Sequence, residues 1–554
     1  MTYLQRQSTR REPQSAPIPG STQVRNSNAG FVWAVDDWTR LRRFLILGSE
    51  GGSFYAGEWN LTRENAEAVE RCLASDGPRA VATIVEISEA GRAPKNDAAV
   101  FALAMAAGLG EEATRRAALE ALPRVCRIST HLFQFATFVE GFRGWGRSLR
   151  RAVGGWYAAR SPESLAHQAV KYRQRDGMTH RDLLRLAHPA ARVGAGNPTL
   201  ELGDEHRRLF EWIARGGETV GLPRIVEGYA LVQSAETPAR TAELVREYGL
   251  PREAIPSEHL TSTEVWTALL EDMPMTALVR NLATMTRVGV LAPGSDGTAK
   301  AIAQLGDRER IRKARVHPIA LLAALRTYAS GKGVRGNSTW TPVPAIIDAL
   351  DAAFYTAFEN VEPTGKRFLL ALDVSGSMTH GSVAGVPGLT PREASAALAL
   401  VTAATETRYE MVGFYAAPSG WTSRLRGLYS RQSGITPLAI SPRQRLDDAV
   451  RAVSGLPFGG TDCALPMLYA LEREREIDAF VILTDSETWA GDVHPAQALA
   501  DYRRTSGIDA RLVVVGMVSN GFSIADPNDP GQLDIVGFDT ATPQLISDFA
   551  RGAL

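Results

Sequence analysis

Buried strands alternate with helices from about residue 361 to the C-terminus of this 554-residue chain. Runs of consecutive apolar residues predict strands at Lys366–Val374, Tyr409–Tyr415, Ala479–Thr484 and Ala510–Met517, with helical periodicity between them. Strands that are apolar on both faces and are joined through helices predict a doubly wound, mostly parallel α/β sheet. Ligands bind beyond the carboxyl ends of the strands in such sheets, so a site in this part of the chain should lie there.

Three polar clusters follow these strands or lie in loops that should meet the same edge of the sheet. The first contains Asp373, Ser375 and Ser377, the second Thr461 and the third Asp485. Two carboxylates and three hydroxyls form an all-oxygen donor set of low charge, which suits Mg²⁺, with Mn²⁺ as the alternative. We expect the hydroxyls to bind the ion directly and the aspartates to bind it through water. One coordination position of the ion then stays open for a carboxylate of a binding partner.

Residues 31–360 follow the helical period instead, and no sustained β alternation interrupts it. Apolar residues recur at i, i+3, i+4 and i+7, as in the segment Pro78–Arg92. Short helices that cannot bury their apolar faces alone predict an α-solenoid of helix pairs, and an irregular helical bundle is the alternative.

The first residues are rich in Gln, Ser, Arg and Pro and predict a flexible polar tail. The predicted organisation is a tail at 1–25, a helical domain at 26–360 and an α/β domain at 361–554.

The charge of the chain is balanced overall but uneven along its length. Lys and Arg number 61, as do Asp and Glu, which excludes a generally basic nucleic-acid coat. Residues 362–554 carry 16 basic and 22 acidic residues, and residues 1–361 carry 45 and 39, so we expect an anionic partner on the N-terminal part.

Cys72, Cys126 and Cys463 form no CxxC pair and predict a reducing compartment. No apolar stretch is long enough to cross a bilayer, so we expect a cytoplasmic protein without membrane contact.

Residues 141–161 contain several arginines and no acidic residue, and they include Trp145, Trp156 and Tyr157. The guanidinium group of arginine can donate two hydrogen bonds to one phosphate, and exposed aromatic rings stack on unpaired bases. The alternative is a solvated helix face with the aromatic rings in the core. We favour an anion site for the arginines and core packing for the aromatic residues.

A second basic stretch follows at residues 171–188. Its Lys171 and Arg175 are spaced i, i+4, which predicts one helix face that presents both to the same nucleic-acid backbone. From charge alone, the residues that we select for RNA binding in the two stretches are Arg147, Arg150, Arg151 and Arg185.

The sequence DVSGS at 373–377, followed by GGT at 459–461 and TD at 484–485, resembles the metal-ion-dependent adhesion site of von Willebrand factor A domains. All three parts occur in order, which is more specific than a lone DxSxS, because Asp and Ser are also common in turns. From about residue 26 to 554 the chain is also similar to the Ro ribonucleoprotein autoantigen family, whose helical module is called TROVE. The segments that carry this resemblance include Gly30–Tyr55, Gly144–Tyr157, Lys171–His188, Glu264–Arg280 and Ser519–Pro527.

The family resemblance implies HEAT-like helix pairs closed into a ring, whose ends are joined by the von Willebrand factor A domain. It implies that the ring binds small noncoding Y RNAs on its outer basic surface and admits single-stranded 3′ ends of misfolded RNAs to its central hole, for RNA quality control. By position in the family motif, the RNA-binding residues are Lys171, Arg175 and His188. Bacterial members further imply an exoribonuclease partner that is tethered through the RNA.

The residues also favour a protein that is not an enzyme, because no general base is paired with a nucleophile at the polar clusters. One alternative is a metal-dependent protein-interaction adaptor whose solenoid binds protein rather than RNA. Another is a metal-dependent nuclease, which would need more clustered acids than Asp373, Asp485 and Asp462 provide.

A ring closed within one chain needs no second copy, so we expect a monomer. We also expect an acidic protein ligand at the metal site.

Overall fold

The structure, a computed structural model, describes most of the chain. The described residues are 11–48, 66–175, 177–188, 192–193, 200–201, 203–333, 337–358, 362–379, 383, 389–416, 434–441, 444–454, 459–518, 521–539 and 541–553. They form a helical domain and an α/β domain, and an N-terminal segment precedes the helical domain.

The helical domain begins after two short strands, β1 (Val24–Arg25) and β2 (Phe31–Ala34). Its first part consists of α1 (Asp37–Leu47), α2 (Glu67–Ala90), α3 (Asp97–Leu109), α4 (Glu112–Val125), α5 (Ser129–Phe142), α6 (Arg147–Ala158), α7 (Pro162–Lys171), β3 (Gln174–Arg175), β4 (Met178–Thr179), α8 (His180–Ala187), β5 (Arg192–Val193) and β6 (Leu200–Glu201). Its second part consists of α9 (Asp204–Arg215), α10 (Arg224–Gln233), α11 (Pro238–Tyr248), α12 (Thr263–Glu271), α13 (Met275–Arg287), α14 (Asp296–Leu305), α15 (Arg308–Ala314), α16 (Pro318–Ser330) and α17 (Pro344–Thr356).

Helices that are close in sequence pack against each other, such as α3 with α5, α11 with α12 and α16 with α17. Local capping sets many of their ends. Thr179 and Asp182, for example, form a reciprocal capping box at the start of α8. The prediction of stacked short helices is therefore confirmed. Within the described part of the chain, no helix is both long and apolar enough to span a membrane.

The α/β domain contains β7 (Arg367–Asp373), α18 (Pro391–Thr405), β8 (Arg408–Phe414), β9 (Ile435–Pro437), α19 (Leu446–Ser454), α20 (Leu465–Glu472), β10 (Ala479–Thr484), α21 (Pro495–Ser506), β11 (Arg511–Gly516), β12 (Phe522–Ser523), β13 (Gln532–Val536) and α22 (Thr542–Arg551). Six of the strands form one sheet in the order β13-β11-β10-β7-β8-β9. All neighbours in it are parallel except β9, which is antiparallel to β8. The predicted mostly parallel sheet is confirmed.

The N-terminal segment is packed against the α/β domain. Gln14 is fully buried, Arg11 pairs with Asp501 on α21, and the Ala16 carbonyl accepts a hydrogen bond from the His494 ring at 2.8 Å. β2 also pairs with β12. The prediction of a flexible tail is therefore wrong for residues 11–25, and residues 1–10 lie outside the described residues. The composition is polar, but these polar groups find partners in the distant α/β domain.

The first and last helices of the helical domain both contact the α/β domain. In α1, the buried Arg43 donates to Asp534 at 2.6 Å, and in α17 an Asp351 oxygen accepts from the Leu446 amide at 3.0 Å. Arg315, which follows α15, donates to the Glu89 carbonyl of α2 at 2.8 Å. These contacts hold the two ends of the helical domain near each other, and the closed ring itself stays a prediction.

Candidate functional site

The carboxyl ends of β7 and β10 bring two of the predicted metal-ligand clusters together. The strands are adjacent and parallel, with Leu372 opposite Leu483, so Asp373 and Thr484 end them side by side. The Thr484 hydroxyl donates to the Asp373 carboxylate at 2.6 Å, and the Ser375 amide donates to its other oxygen at 2.9 Å. This places Asp373 in a fixed orientation at the base of the cluster.

The hydroxyl groups lie at the same edge of the sheet. The Ser375 and Ser377 Oγ atoms are 3.1 Å apart, and the Ser377 side chain hydrogen-bonds the Asp485 carboxylate. The loop before Thr461 is attached to the first cluster, because the Gly376 amide donates to the Gly459 carbonyl at 3.4 Å. All three polar clusters therefore meet: the pairing of β7 with β10 brings two of them together, and this loop contact adds the third.

Burial controls the electrostatics of the two aspartates. Desolvation, followed by repulsion from Asp485, raises the pKa of Asp373 to about 7. Burial likewise raises the pKa of Asp485. Two buried carboxylates of like charge favour a cation between them, and the neighbouring hydroxyls add hard oxygen donors. The donor set therefore fits Mg²⁺ or Mn²⁺.

The predicted metal site depends on hydroxyl donors as well as on its two aspartates. Among the described residues, no group of three or more His, Cys, Asp or Glu side chains is arranged to hold a metal ion.

The predicted arginines of α6 lie on its solvent-exposed face. Arg147, Arg150 and Arg151 are exposed, whereas Leu149 and Val153 of the same helix are buried in the core. On α8, which packs against α6, Arg185 is exposed, and His188 is exposed at the helix C-terminus. We call these five cationic or ionisable residues the basic face: Arg147, Arg150, Arg151, Arg185 and His188.

Several exposed arginines on other helices are paired with an acidic residue, unlike the arginines of the basic face. Arg116, Arg215 and Arg240 each form an ion pair with a glutamate on their own helix. Within the described part of the chain, no carboxylate lies within ion-pair distance of the four arginines of the basic face. Guanidinium groups without a local acid are available for an external anion, which supports the predicted anion site.

Lys171 and Arg175 do not share a helix face, so that prediction is wrong. α7 ends at Lys171, and Arg175 lies in β3, where it pairs with Met178 of β4. Gly177 takes a positive φ of 80° between the two strands. A glycine beside Asp176 favours a tight turn, and this local signal outweighs the i, i+4 spacing. Lys171 is half-buried with its ammonium 5.3 Å from the Tyr172 ring, and the side chain of Arg175 lies outside the described residues.

The aromatic residues of α6 belong to the core. Trp156 and Tyr157 are buried, and the Trp156 indole donates to the Cys126 carbonyl at 2.5 Å. Tyr157 shares a 2.8 Å hydrogen bond with His180, which is itself buried and is therefore not part of a basic surface. The preference for core packing is confirmed for these two rings. They are not available to stack on RNA bases.

Trp156→Ala should lower the free energy of unfolding of the helical domain by about 3–5 kcal/mol, because it creates a large cavity and removes the indole hydrogen bond. Chemical unfolding followed by circular dichroism measures the change. Arg150→Ala on the same helix is the matched control and should shift stability by less than about 0.5 kcal/mol. Equal stability of both variants would show that α6 is not anchored through this ring.

Gln14 and Thr488 are two residues beside the predicted metal ligands that the sequence patterns do not indicate. Gln14 approaches from the N-terminal segment, and Thr488 follows Asp485 in the loop after β10. Neither belongs to a motif with metal-ligand spacing. A polar residue in a polar segment gives no sign of burial until its distant partners are known.

Comparisons with known proteins match both parts of the chain. The TROVE domain model matches residues 24–215 and 249–327, and the Ro60 vWA domain model matches residues 367–550. The chain is 42% identical over 532 residues to the RNA-binding protein RO60 of Deinococcus radiodurans, covering 96% of each protein. It is 35% identical to the RNA-binding protein RO60 of Caenorhabditis elegans, covering 96% of this chain and 90% of that protein. The crystal structure of the Deinococcus radiodurans RO (RSR) protein matches with a TM-score of 0.69 at 40% identity, covering 94% of this chain and all of that one.

Proposed function

The chain belongs to the Ro60 family of TROVE-domain proteins, and on this premise we propose that it binds RNA through its helical domain. The observation that carries the proposal is the basic face on α6 and α8, whose arginines have no acidic partner among the described residues. The relatives from Deinococcus radiodurans and Caenorhabditis elegans bear the name RNA-binding protein. Exposed arginines without a described acidic partner, on two helices that pack against each other, supply the charge that a phosphate backbone requires.

We further propose that a small noncoding Y-type RNA binds across the basic face, together with Lys171 and Arg175. A single-stranded 3′ end of a misfolded RNA would enter a central hole of the ring. The buried positions of Trp156 and Tyr157 support recognition by phosphate contact and by shape rather than by base stacking. The function would be RNA quality control without catalysis, in which an exoribonuclease is held nearby through the bound RNA.

For the α/β domain, we propose that Asp373, Ser375, Ser377, Thr461 and Asp485 hold a divalent cation, Mg²⁺ or Mn²⁺. The ion would supply a positive centre for a carboxylate of an acidic protein ligand. The protein's own residues orient this centre: Thr484 and the Ser375 amide fix Asp373, and Ser377 fixes Asp485. The α/β domain would thus bind protein while the helical domain binds RNA.

RNA affinity should fall by at least about tenfold between ~50 mM and ~200 mM salt, because each neutralised phosphate releases counterions. Filter binding with a labelled stem-loop RNA that has a single-stranded 3′ tail measures this. The same stem with a blunt end tests the role of the unpaired tail and should bind more weakly. An affinity that stays flat across the salt range would rule out the electrostatic basis of the proposal.

A further inference from the structure

The N-terminal segment crosses the α/β domain next to the proposed metal site, and Gln14 is at the centre of this contact. Its side chain is fully buried. The Gln14 Nε2 group donates to the Asp462 carboxylate at 2.7 Å and to the Val493 carbonyl at 2.8 Å, while its Oε1 atom accepts from the Thr488 hydroxyl. The backbone amide of Gln14 donates to the Gly491 carbonyl at 2.9 Å. One residue near the start of the chain thus bonds to two loops of the distant domain.

Both loops carry or adjoin proposed metal ligands. Asp462 directly follows Thr461, and its carboxylate also accepts from the Ala464 amide at 3.0 Å. The two loops are bonded to each other, because the Trp489 and Ala490 amides each donate to the Thr461 carbonyl at 3.1 Å. Gln14 therefore joins a hydrogen-bond network that connects Asp462 and the Thr461 backbone to the loop after Asp485.

Two glycines leave the space that this contact needs. A Cβ atom on Gly491 would lie 2.4 Å from the Gln14 Nε2 atom and 2.4 Å from an Asp462 oxygen. A Cβ atom on Gly30 would lie only 1.9 Å from the Thr488 carbonyl oxygen. Asn26, four residues before Gly30, donates its side-chain amide to that same carbonyl at 2.8 Å. The fit of the segment against the loops is thus close on both sides, and the segment does not rest loosely on the surface.

We propose that Gln14 is a positioning residue of the metal site, through which the N-terminal segment holds the Thr461 loop and the loop after Asp485 in the arrangement that binds the cation. This inference rests on the proposed metal site. The cation site is then assembled from both ends of the chain, since residues 11–31 and the α/β domain flank the helical domain in sequence. Replacing a residue that orients metal ligands without touching the ion typically lowers metal affinity by about 10- to 100-fold.

Gln14→Ala in the full-length protein is expected to weaken Mn²⁺ binding by at least about tenfold, measured by electron paramagnetic resonance of free Mn²⁺. Gln14→Met keeps the volume of the side chain without its hydrogen bonds and should weaken binding to a similar extent. Arg11→Ala removes an exposed contact of the same segment with α21 and is the matched control, which should bind as the wild type does.

Hydrogen exchange in metal-free protein gives a second measurement that does not depend on the ion. Both Gln14 variants should exchange faster in residues 461–464 and 488–491, with unchanged protection in the core strands β7 and β10. If wild-type protein fails to bind Mn²⁺, the metal site itself is disproved. If wild-type protein binds Mn²⁺ and Gln14→Met binds it equally well with unchanged exchange, the role of Gln14 is overturned while the metal site stands.

Discussion

Replacing Arg147, Arg150 and Arg151 together by alanine is expected to weaken binding of a 3′-tailed stem-loop RNA about 100-fold at moderate salt. The three side chains are exposed on α6 and have no described acidic partner. Removing one arginine–phosphate interaction on an exposed surface costs about 1 kcal/mol, and removing three corresponds to about two decades in affinity. Alanine is a strong helix former, so α6 should remain intact. Filter binding at several salt concentrations measures the effect.

The salt dependence of the same variant is a further part of this test. The slope of log affinity against log salt should become shallower by roughly 0.7–0.9 for each phosphate that the variant no longer neutralises. The matched control replaces Arg116, Arg240 and Arg312, which are exposed on other helices and each paired with a glutamate. It removes the same formal charge. An equal decrease of RNA affinity in both variants would mean that net charge matters and the basic face does not.

The sheet of the α/β domain follows closely from the sequence because its strands are buried on both faces. The predicted strand Ala479–Thr484 matches β10 at both ends, and Lys366–Val374 exceeds β7 by one residue at each end. A continuous apolar run has few other ways to be buried. The strands β9 and β13 were not predicted, because Ile435–Pro437 is short and Gln532–Val536 begins with polar residues. Their pairing depends on the neighbouring strands.

The same logic explains why the meeting of the polar clusters was predictable in outline. Adjacent parallel strands end at one edge, so polar residues that follow β7 and β10 must meet there. The sequence does not contain the detail that orients the ligands, such as the Thr484 hydroxyl on the Asp373 carboxylate. That detail requires the register between two strands that are far apart in the chain.

The wrong predictions come from patterns that are local and ambiguous. The spacing of Lys171 and Arg175 suits a helix, but a turn at Gly177 starts a hairpin instead. The polar N-terminal segment has the composition of a free tail, and only its partners in the α/β domain bury Gln14. Tertiary structure decides both cases, and neither pattern contains the partner residues.

The charge of the basic face and the oxygen donors of the proposed metal site lie in different domains. This separation predicts that the two binding activities can be removed independently, because mutations at distant sites without shared partners have additive effects. The triple arginine variant of α6 tests whether RNA binding can be removed alone. To test whether cation binding can be removed alone, a proposed metal ligand must be changed without loss of the fold.

Asp373→Asn is expected to reduce Mn²⁺ affinity by at least about 100-fold while RNA affinity stays within about twofold of wild type. Asp373 is fully buried between Thr484 and the Ser375 amide, and its pKa is raised by burial and by Asp485. A neutral side chain of the same size removes this repulsion, so the fold should persist. Electron paramagnetic resonance with Mn²⁺ and filter binding with the tailed RNA measure the two affinities.

The matched control for this variant is Asp509→Ala, which removes an exposed carboxylate next to β11, at the opposite edge of the sheet. It should bind both Mn²⁺ and RNA as the wild type does. Unchanged Mn²⁺ binding in Asp373→Asn would place the cation elsewhere in the chain. A folded Asp373→Asn protein that no longer binds RNA would mean that the α/β domain participates in RNA binding, since the charge of the basic face is untouched by the substitution.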